Sequence, residues 1–268
     1  MNFASNNDEG SLKEKEHFPQ EPLWDVTLNA IRESQSVDIL TNAKALANIL
    51  HFNSDETRSR YGRAMATRFA RIDLKWSNPQ ILSGFFNIAK AGLENKIISS
   101  IWRILFCSIE PIIARTYLEI IWPREPGSQI QRSEIRNYVE MTFHQQSKKL
   151  NTRIINCLHQ AGFASPQGKE ALNIIGFGDL DASLFLATHL LFAQDPKTIK
   201  ISEIMDSSFW KYLGYYKFDY VRIALRGAES KGLILRYAVV DHLEQITTRY
   251  SLADLISHWR ELYENERI

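Results

Sequence analysis

One run of eighteen residues, 58–75 (RSRYGRAMATRFARIDLK), holds Arg58, Arg60, Arg63, Arg68, Arg71 and Lys75 against a single acid, Asp73. Five of these six cations are arginine, whose planar fork can form two parallel hydrogen bonds to a phosphate. At helical spacing Tyr61, Met65, Phe69 and Ile72 form a stripe that would face a core. Arg60, Arg63 and Arg71 then share the outward face, with Thr67 between them. A helix presenting a row of guanidiniums can track a phosphate backbone, releasing a counterion at each phosphate it neutralises. The pattern therefore predicts DNA-backbone contact by Arg58, Arg60, Arg63, Arg71 and Lys75. The competing use is pairing with acids on neighbouring helices, for which Glu94, Glu110 and Glu119 are the candidates. A second basic cluster, Lys148, Lys149 and Arg153 with Arg132 and Arg136, would extend such a surface.

A further set of cations lies in 217–231 (KFDYVRIALRGAESK), also at helical spacing. Val221, Leu225 and Ala228 fall on one face, leaving Lys217, Tyr220, Arg222 and Arg226 opposite, with Ser230 near the end. Arginine can bond guanine bidentately, while tyrosine and serine hold phosphates. The β-rich stretch that follows adds Arg236, His242 and Arg249. Against this, Asp219 and Glu229 partly neutralise the arginines, and residues 165–268 carry 12 basic against 14 acidic side chains. DNA contact, protein docking and a purely structural role all remain open for this helix.

Catalytic chemistry is not legible. Gly176-Phe-Gly-Asp179 lacks the third glycine and the Lys-Ser/Thr of a phosphate loop, and reads as a turn. Asp73-Leu-Lys75 has the spacing of a metal-dependent nuclease motif, but it ends a helix rather than sitting on a strand. The seven histidines make no metal-spaced cluster with the cysteines or acids. Cys157 and His159 are two residues apart on a helix and do not face each other. The expectation is a protein without enzymatic activity, metal or cofactor.

The elements that would position these residues show two textures. Over 23–163 the apolar patterns are helical, with helices expected at 22–33, 37–51, 54–73, 78–91, 94–108, 110–121, 131–146 and 149–161. Ser77-Asn78-Pro79 has the form of a helix start, and Pro123-Arg-Glu-Pro-Gly127 is a break. Ser165-Pro-Gln-Gly168 reads as a polar linker. Beyond it come helices at 179–194, 199–213 and 217–231, and a hairpin from 233–240 and 245–250. A Ser251-Leu-Ala-Asp254 capping box then opens a last helix to about Glu264. Helix, helix, helix, hairpin, helix is the order of a winged helix-turn-helix. The expected fold is mainly α: a disordered leader at 1–20, a multi-helix bundle at 21–164, and a winged helix-turn-helix domain with a small β-hairpin wing at 165–268.

Composition bounds the setting. The chain of 268 residues is 44% hydrophobic and 24% charged with a net charge of +1, an ordinary globular balance that excludes a basic tail protein. The sum hides a net +3 over 1–164 and −2 over 165–268. Two cysteines, Cys107 and Cys157, exclude a disulfide framework and suit a reducing cytoplasm. The most lipid-like stretch, 97–122, is interrupted by Arg103, Glu110, Arg115 and Glu119, so it reads as a buried helix pair without membrane contact.

The run RSRYGRAMATRFARIDL with a helix after SNPQ, then IWRILFCSIEPIIARTYLEIIW and LNTRIINCLHQAGFAS, resembles the small helical BrxA family of BREX phage-defence systems. The similarity covers about residues 37–164 and includes the Gln160-Ala161-Gly162 turn. The resemblance implies a non-enzymatic, DNA-binding accessory protein. Together these readings predict a cytoplasmic protein that holds duplex DNA and other subunits of a multi-protein complex. The alternatives are an adaptor whose winged helix docks a protein, and a winged-helix transcriptional regulator.

Overall fold

In the computed structural model, residues 21–76, 80–144, 147–176, 180–259 and 261 are described. The leader at 1–20, the helix start at 77–79, the 177–179 part of the glycine turn and the last helix beyond 261 lie outside them. The chain begins with α1 (Trp24–Glu33), α2 (Asp38–Thr41), α3 (Ala43–Ile49) and α4 (Asp55–Lys75). It continues through α5 (Ile81–Lys90), α6 (Asn95–Ile109) and α7 (Pro111–Thr116), which runs into a π-helical turn at Tyr117–Ile121. After β1 (Gln129–Gln131) come α8 (Arg132–Phe143), α9 (Lys148–Gln160), β2 (Ala164–Gln167) and β3 (Ala171–Ile174). The remainder is α10 (Leu180–Phe192), β4 (Thr198–Lys200), α11 (Ile201–Ser207), α12 (Phe209–Tyr212), α13 (Phe218–Ser230), β5 (Ile234–Val240), β6 (Leu243–Thr248) and α14 (Leu252–Ser257).

Local chemistry explains where the boundaries fall. The helix expected over 37–51 is two, because the Asn42 side chain accepts hydrogen bonds from the backbone N–H of Lys44 and Ala45, each at 3.1 Å, and so caps a new start. Ser54 does the same for α4, its hydroxyl accepting from Thr57 N–H at 3.1 Å. The helix expected over 199–213 is instead β4, α11 and α12, broken at Ser208, whose φ of 56° is left-handed. Pro111 opens α7 at its first turn and sets a 109° bend against α6. The apolar run 97–122 is therefore two crossing helices with mostly buried side chains, and no single described helix is long and apolar enough to cross a membrane.

Two antiparallel sheets of three strands accompany the helices. One has the order β1-β3-β2, with Ile130 opposite Leu172 and Ser165 opposite Asn173. The segment 165–168, expected to be a linker, is thus largely strand β2 with the turn that follows. The other sheet has the order β4-β6-β5, with Ile246 between Ile199 and Tyr237.

A single core runs across both parts of the chain. The Trp102 ring lies 5.6 Å from Phe69 and 5.7 Å from Phe85, and Leu184, Leu186 and Leu190 of α10 are buried in the same cluster. Arg103, only 5% exposed, ties the parts together. Its Nε donates to the Ala161 carbonyl at 2.7 Å and Nη1 to the Tyr212 carbonyl at 3.3 Å, and the guanidinium lies over the Phe163 ring. Burial pulls its ionisation down to about 10, so it stays charged at neutral pH.

His189 sits in the same core on α10, its Nδ1–H donating to the Phe185 carbonyl at 2.8 Å. Its buried Nε2 has no hydrogen-bond partner among the described residues, and burial lowers its pKa. The folded protein therefore holds it neutral, whereas the unfolded chain takes up a proton below about pH 6.5. This contribution to stability is complete above that pH and is lost as the pH falls. Urea midpoints should drop between pH 7 and pH 5, and the drop should be smaller in His189→Leu. An identical drop in the variant would show that other groups carry it.

Candidate nucleic-acid interface

Helix α4 turns Met65, Phe69 and Ile72 into the core as the stripe predicts. Gly62 lets α3 cross close by: a Cβ there would come within 2.7 Å of the Ala43 carbonyl oxygen and 2.9 Å of the Ala47 nitrogen. With its inner face fixed, α4 exposes Arg60, Arg63 and Thr67 and leaves Arg71 half-buried. Arg60 and Arg71 are eleven residues apart, about 16 Å along the axis. Arg60, Arg63, Thr67 and Arg71 border a cleft of about 450 Å³ whose lining includes Glu56, Arg68 and Glu110.

Arg68 is where pairing with a neighbouring acid holds. It is 5% exposed, and its Nε donates to Glu110 Oε1 at 3.3 Å while Nη1 donates to the Glu21 carbonyl at 3.2 Å. Its guanidinium also lies 5.3 Å from the Phe106 ring centre. Glu110, itself 4% exposed, lies between α6 and α7. The other two candidate acids go elsewhere, Glu94 to Lys96 at 2.9 Å and Glu119 to Arg115 at 2.7 Å. Among the described residues neither Arg60 nor Arg63 makes an ion pair, and Arg60 rests 5.0 Å from the Tyr61 ring centre.

Arg58 stands apart from the row. It donates to the Phe52 carbonyl at 2.8 Å and pairs with the Asp55 carboxylate, and it borders a second recess, between α3 and the start of α4, that it shares with Arg63. Lys75 is exposed at the end of α4 and does not line the cleft, nor do Lys148, Lys149, Arg153, Arg132 or Arg136.

Helix α13 buries Val221, Leu225 and Ala228 as expected. Its arginines are engaged within the chain. Arg222 donates to Glu244 at 2.7 Å and to Asp219 at 2.8 Å, and Arg226 lies 3.6 Å from Glu244 and over the Tyr237 ring. Glu229 accepts from the Tyr237 backbone N–H at 3.1 Å. What projects is Tyr220 at 55% and Ile223 at 63% exposure, beside a recess of about 660 Å³ lined by Phe185, Tyr215 and Tyr216. Lys217, Arg236, His242 and Arg249 are exposed too, but the hairpin also shows Leu235, Val239, Val240 and Leu243 to solvent. The cation pattern of the sequence does not reveal this exposed apolar character, although Ile223 lies off the Val221–Leu225–Ala228 line and so signals it.

The described residues contain no group of three or more His, Cys, Asp or Glu placed to hold a metal. Both thiols are buried, and burial pushes Cys157 up to about 12, which leaves no ready thiolate. Helix α4 continues through Lys75, so Asp73-Leu-Lys75 ends a helix as expected. No protein-family model, curated protein or solved structure matches the chain.

Proposed function

We propose that the chain is a non-enzymatic accessory protein that grips duplex DNA by its phosphate backbone and joins a protein partner. The arginine-bordered cleft on α4 carries this reading, because Arg60 and Arg63 project cations that make no ion pair among the described residues. In a basic bundle, such a row supplies positioning rather than chemistry. The resemblance of residues 37–164 to the BrxA-like family suggests a cytoplasmic phage-defence complex as the setting. Affinity for a duplex of about 20 base pairs, followed against salt, tests the grip. Two phosphates neutralised by Arg60 and Arg63 predict a log–log slope of about −1.8. A slope near zero would remove the backbone reading.

The order α10, β4, α11, α12, α13, β5, β6, with β4 added to the β5–β6 hairpin and α12 a single turn between α11 and α13, supports reading this part as a winged helix-turn-helix with α13 as its recognition helix. In the DNA version Lys217, Tyr220, Arg222, Arg226, Arg236 and Arg249 would touch the duplex. The engagement of Arg222 and Arg226 with Glu244, and the outward Tyr220 and Ile223, favour docking of protein instead. Ile223→Asp should then leave DNA affinity within about twofold of the parent. A tenfold fall would move α13 into the DNA interface.

A further inference from the structure

The α4 cleft has a floor that an uninterrupted duplex is poorly shaped to reach. Phosphodiesters within a duplex are tethered on both sides and meet the cations that project, here Arg60 and Arg63. Arg68, 5% exposed, lines the recess beneath them, held in place by Glu110 and the Glu21 carbonyl. A terminal phosphate hangs from one ester bond and can enter such a recess. The lining is cationic: Arg60, Arg63, Arg68 and Arg71 outnumber Glu56 and Glu110, with Arg68 and Arg71 also engaged within the chain. A phosphomonoester carries close to two negative charges at neutral pH, whereas each diester carries one. The cleft volume of about 450 Å³ is that of a small-ligand site and suits one nucleotide better than a length of duplex. The rim adds the Ser59 hydroxyl, whereas the Thr67 hydroxyl gives its one proton to the Arg63 carbonyl at 2.9 Å and contributes no donor to a phosphate.

We propose that this cleft is a phosphomonoester site that takes the terminal phosphate of a nucleic-acid strand. The inference rests on the backbone reading of α4 and narrows it from any duplex to a phosphorylated end.

The test compares one duplex of about 20 base pairs bearing 5′-phosphates with the same duplex bearing 5′-hydroxyls, by fluorescence anisotropy on the full chain at 0.15 M salt. The phosphorylated duplex should bind at least about tenfold more tightly. AMP should compete for it, and adenosine should not. Arg63→Gln, at an exposed position that folding tolerates, should cut the preference to less than threefold; Arg68→Lys, which keeps a cation opposite Glu110, should reduce it as well. Equal affinity for the two duplexes overturns the terminal-phosphate site and leaves the backbone grip standing. Failure of both duplexes to bind, even at 0.05 M salt, overturns the backbone reading. In that case AMP binding abolished by Arg63→Gln would assign the monoester to a free nucleotide, and no AMP binding in the parent would overturn the site altogether.

Discussion

Changing Arg60, Arg63 and Arg71 together to glutamate should lower duplex affinity at 0.15 M salt by about a hundredfold or more. Each reversal removes an attraction and adds a repulsion of about 1 kcal/mol at close range in water, and three of them sum to two or more decades. The salt slope should flatten by about 0.9 for each phosphate that the variant no longer neutralises. The reversals suit the test because Arg60 and Arg63 are exposed and the buried face of α4 rests on Met65, Phe69 and Ile72. Arg71 is half-buried and engaged within the chain, so the Arg60/Arg63 double variant is the control for folding and should itself cost about thirtyfold. Far-UV circular dichroism should be unchanged in both. Parent affinity in the triple variant would dissociate DNA from α4.

The geometry of α4 is legible in the sequence because one periodicity governs it. The stripe Tyr61, Met65, Phe69, Ile72 fixes the inner face, and the exposure of Arg60 and Arg63 follows from it. Arg68 follows the same logic in reverse: it lies three residues past Met65 and four before Ile72, so it must turn inward, where a cation needs a partner. That the partner is Glu110 rather than Glu94 or Glu119 depends on how α4 meets the α6–α7 corner, a pairing of residues 42 apart that periodicity does not encode. The same limit applies to Glu244, which draws in Arg222 and Arg226 from across the hairpin.

The short strands escape a sequence reading for a different reason. β1, β2 and β3 are three or four residues each, too short to show alternation, and β2 contains Pro166. They exist because β3 pairs with both neighbours, and β1 arrives from 129–131. The polar cluster at 165–168 suggests a division at residue 164, yet pairing across it places Ser165 in a sheet with residues on both sides. β4 is hidden for a related reason: its three residues run directly into α11, and the alternation of Ile199 and Ile201 is compatible with either structure.

The shared core has a measurable consequence at Arg103. Arg103→Ala should lower stability by about 2–4 kcal/mol, or roughly 4–16 °C in Tm for a chain of this size. The variant gives up two charge-assisted hydrogen bonds, leaving the Ala161 and Tyr212 carbonyls short of a donor, and opens space beside the Phe163 ring. Part of this loss is offset, because burial already disfavours the charge, as the lowered ionisation of the guanidinium records. Arg103→Met separates the effects: it fills most of the space and removes the buried charge, so what it still costs is the loss of the guanidinium's hydrogen bonds and of its contact with the Phe163 ring. Tyr117 and Trp122 make parallel links to the Lys211 and Tyr215 carbonyls, at 2.8 Å and 3.0 Å, so the two parts should stay coupled after Arg103 is replaced. Unfolding followed by tryptophan fluorescence and by far-UV circular dichroism should therefore remain one coincident transition, shifted downward. Two separated transitions would mean that Arg103 is the main link between the parts, and a shift below about 1 kcal/mol would mean that it holds neither.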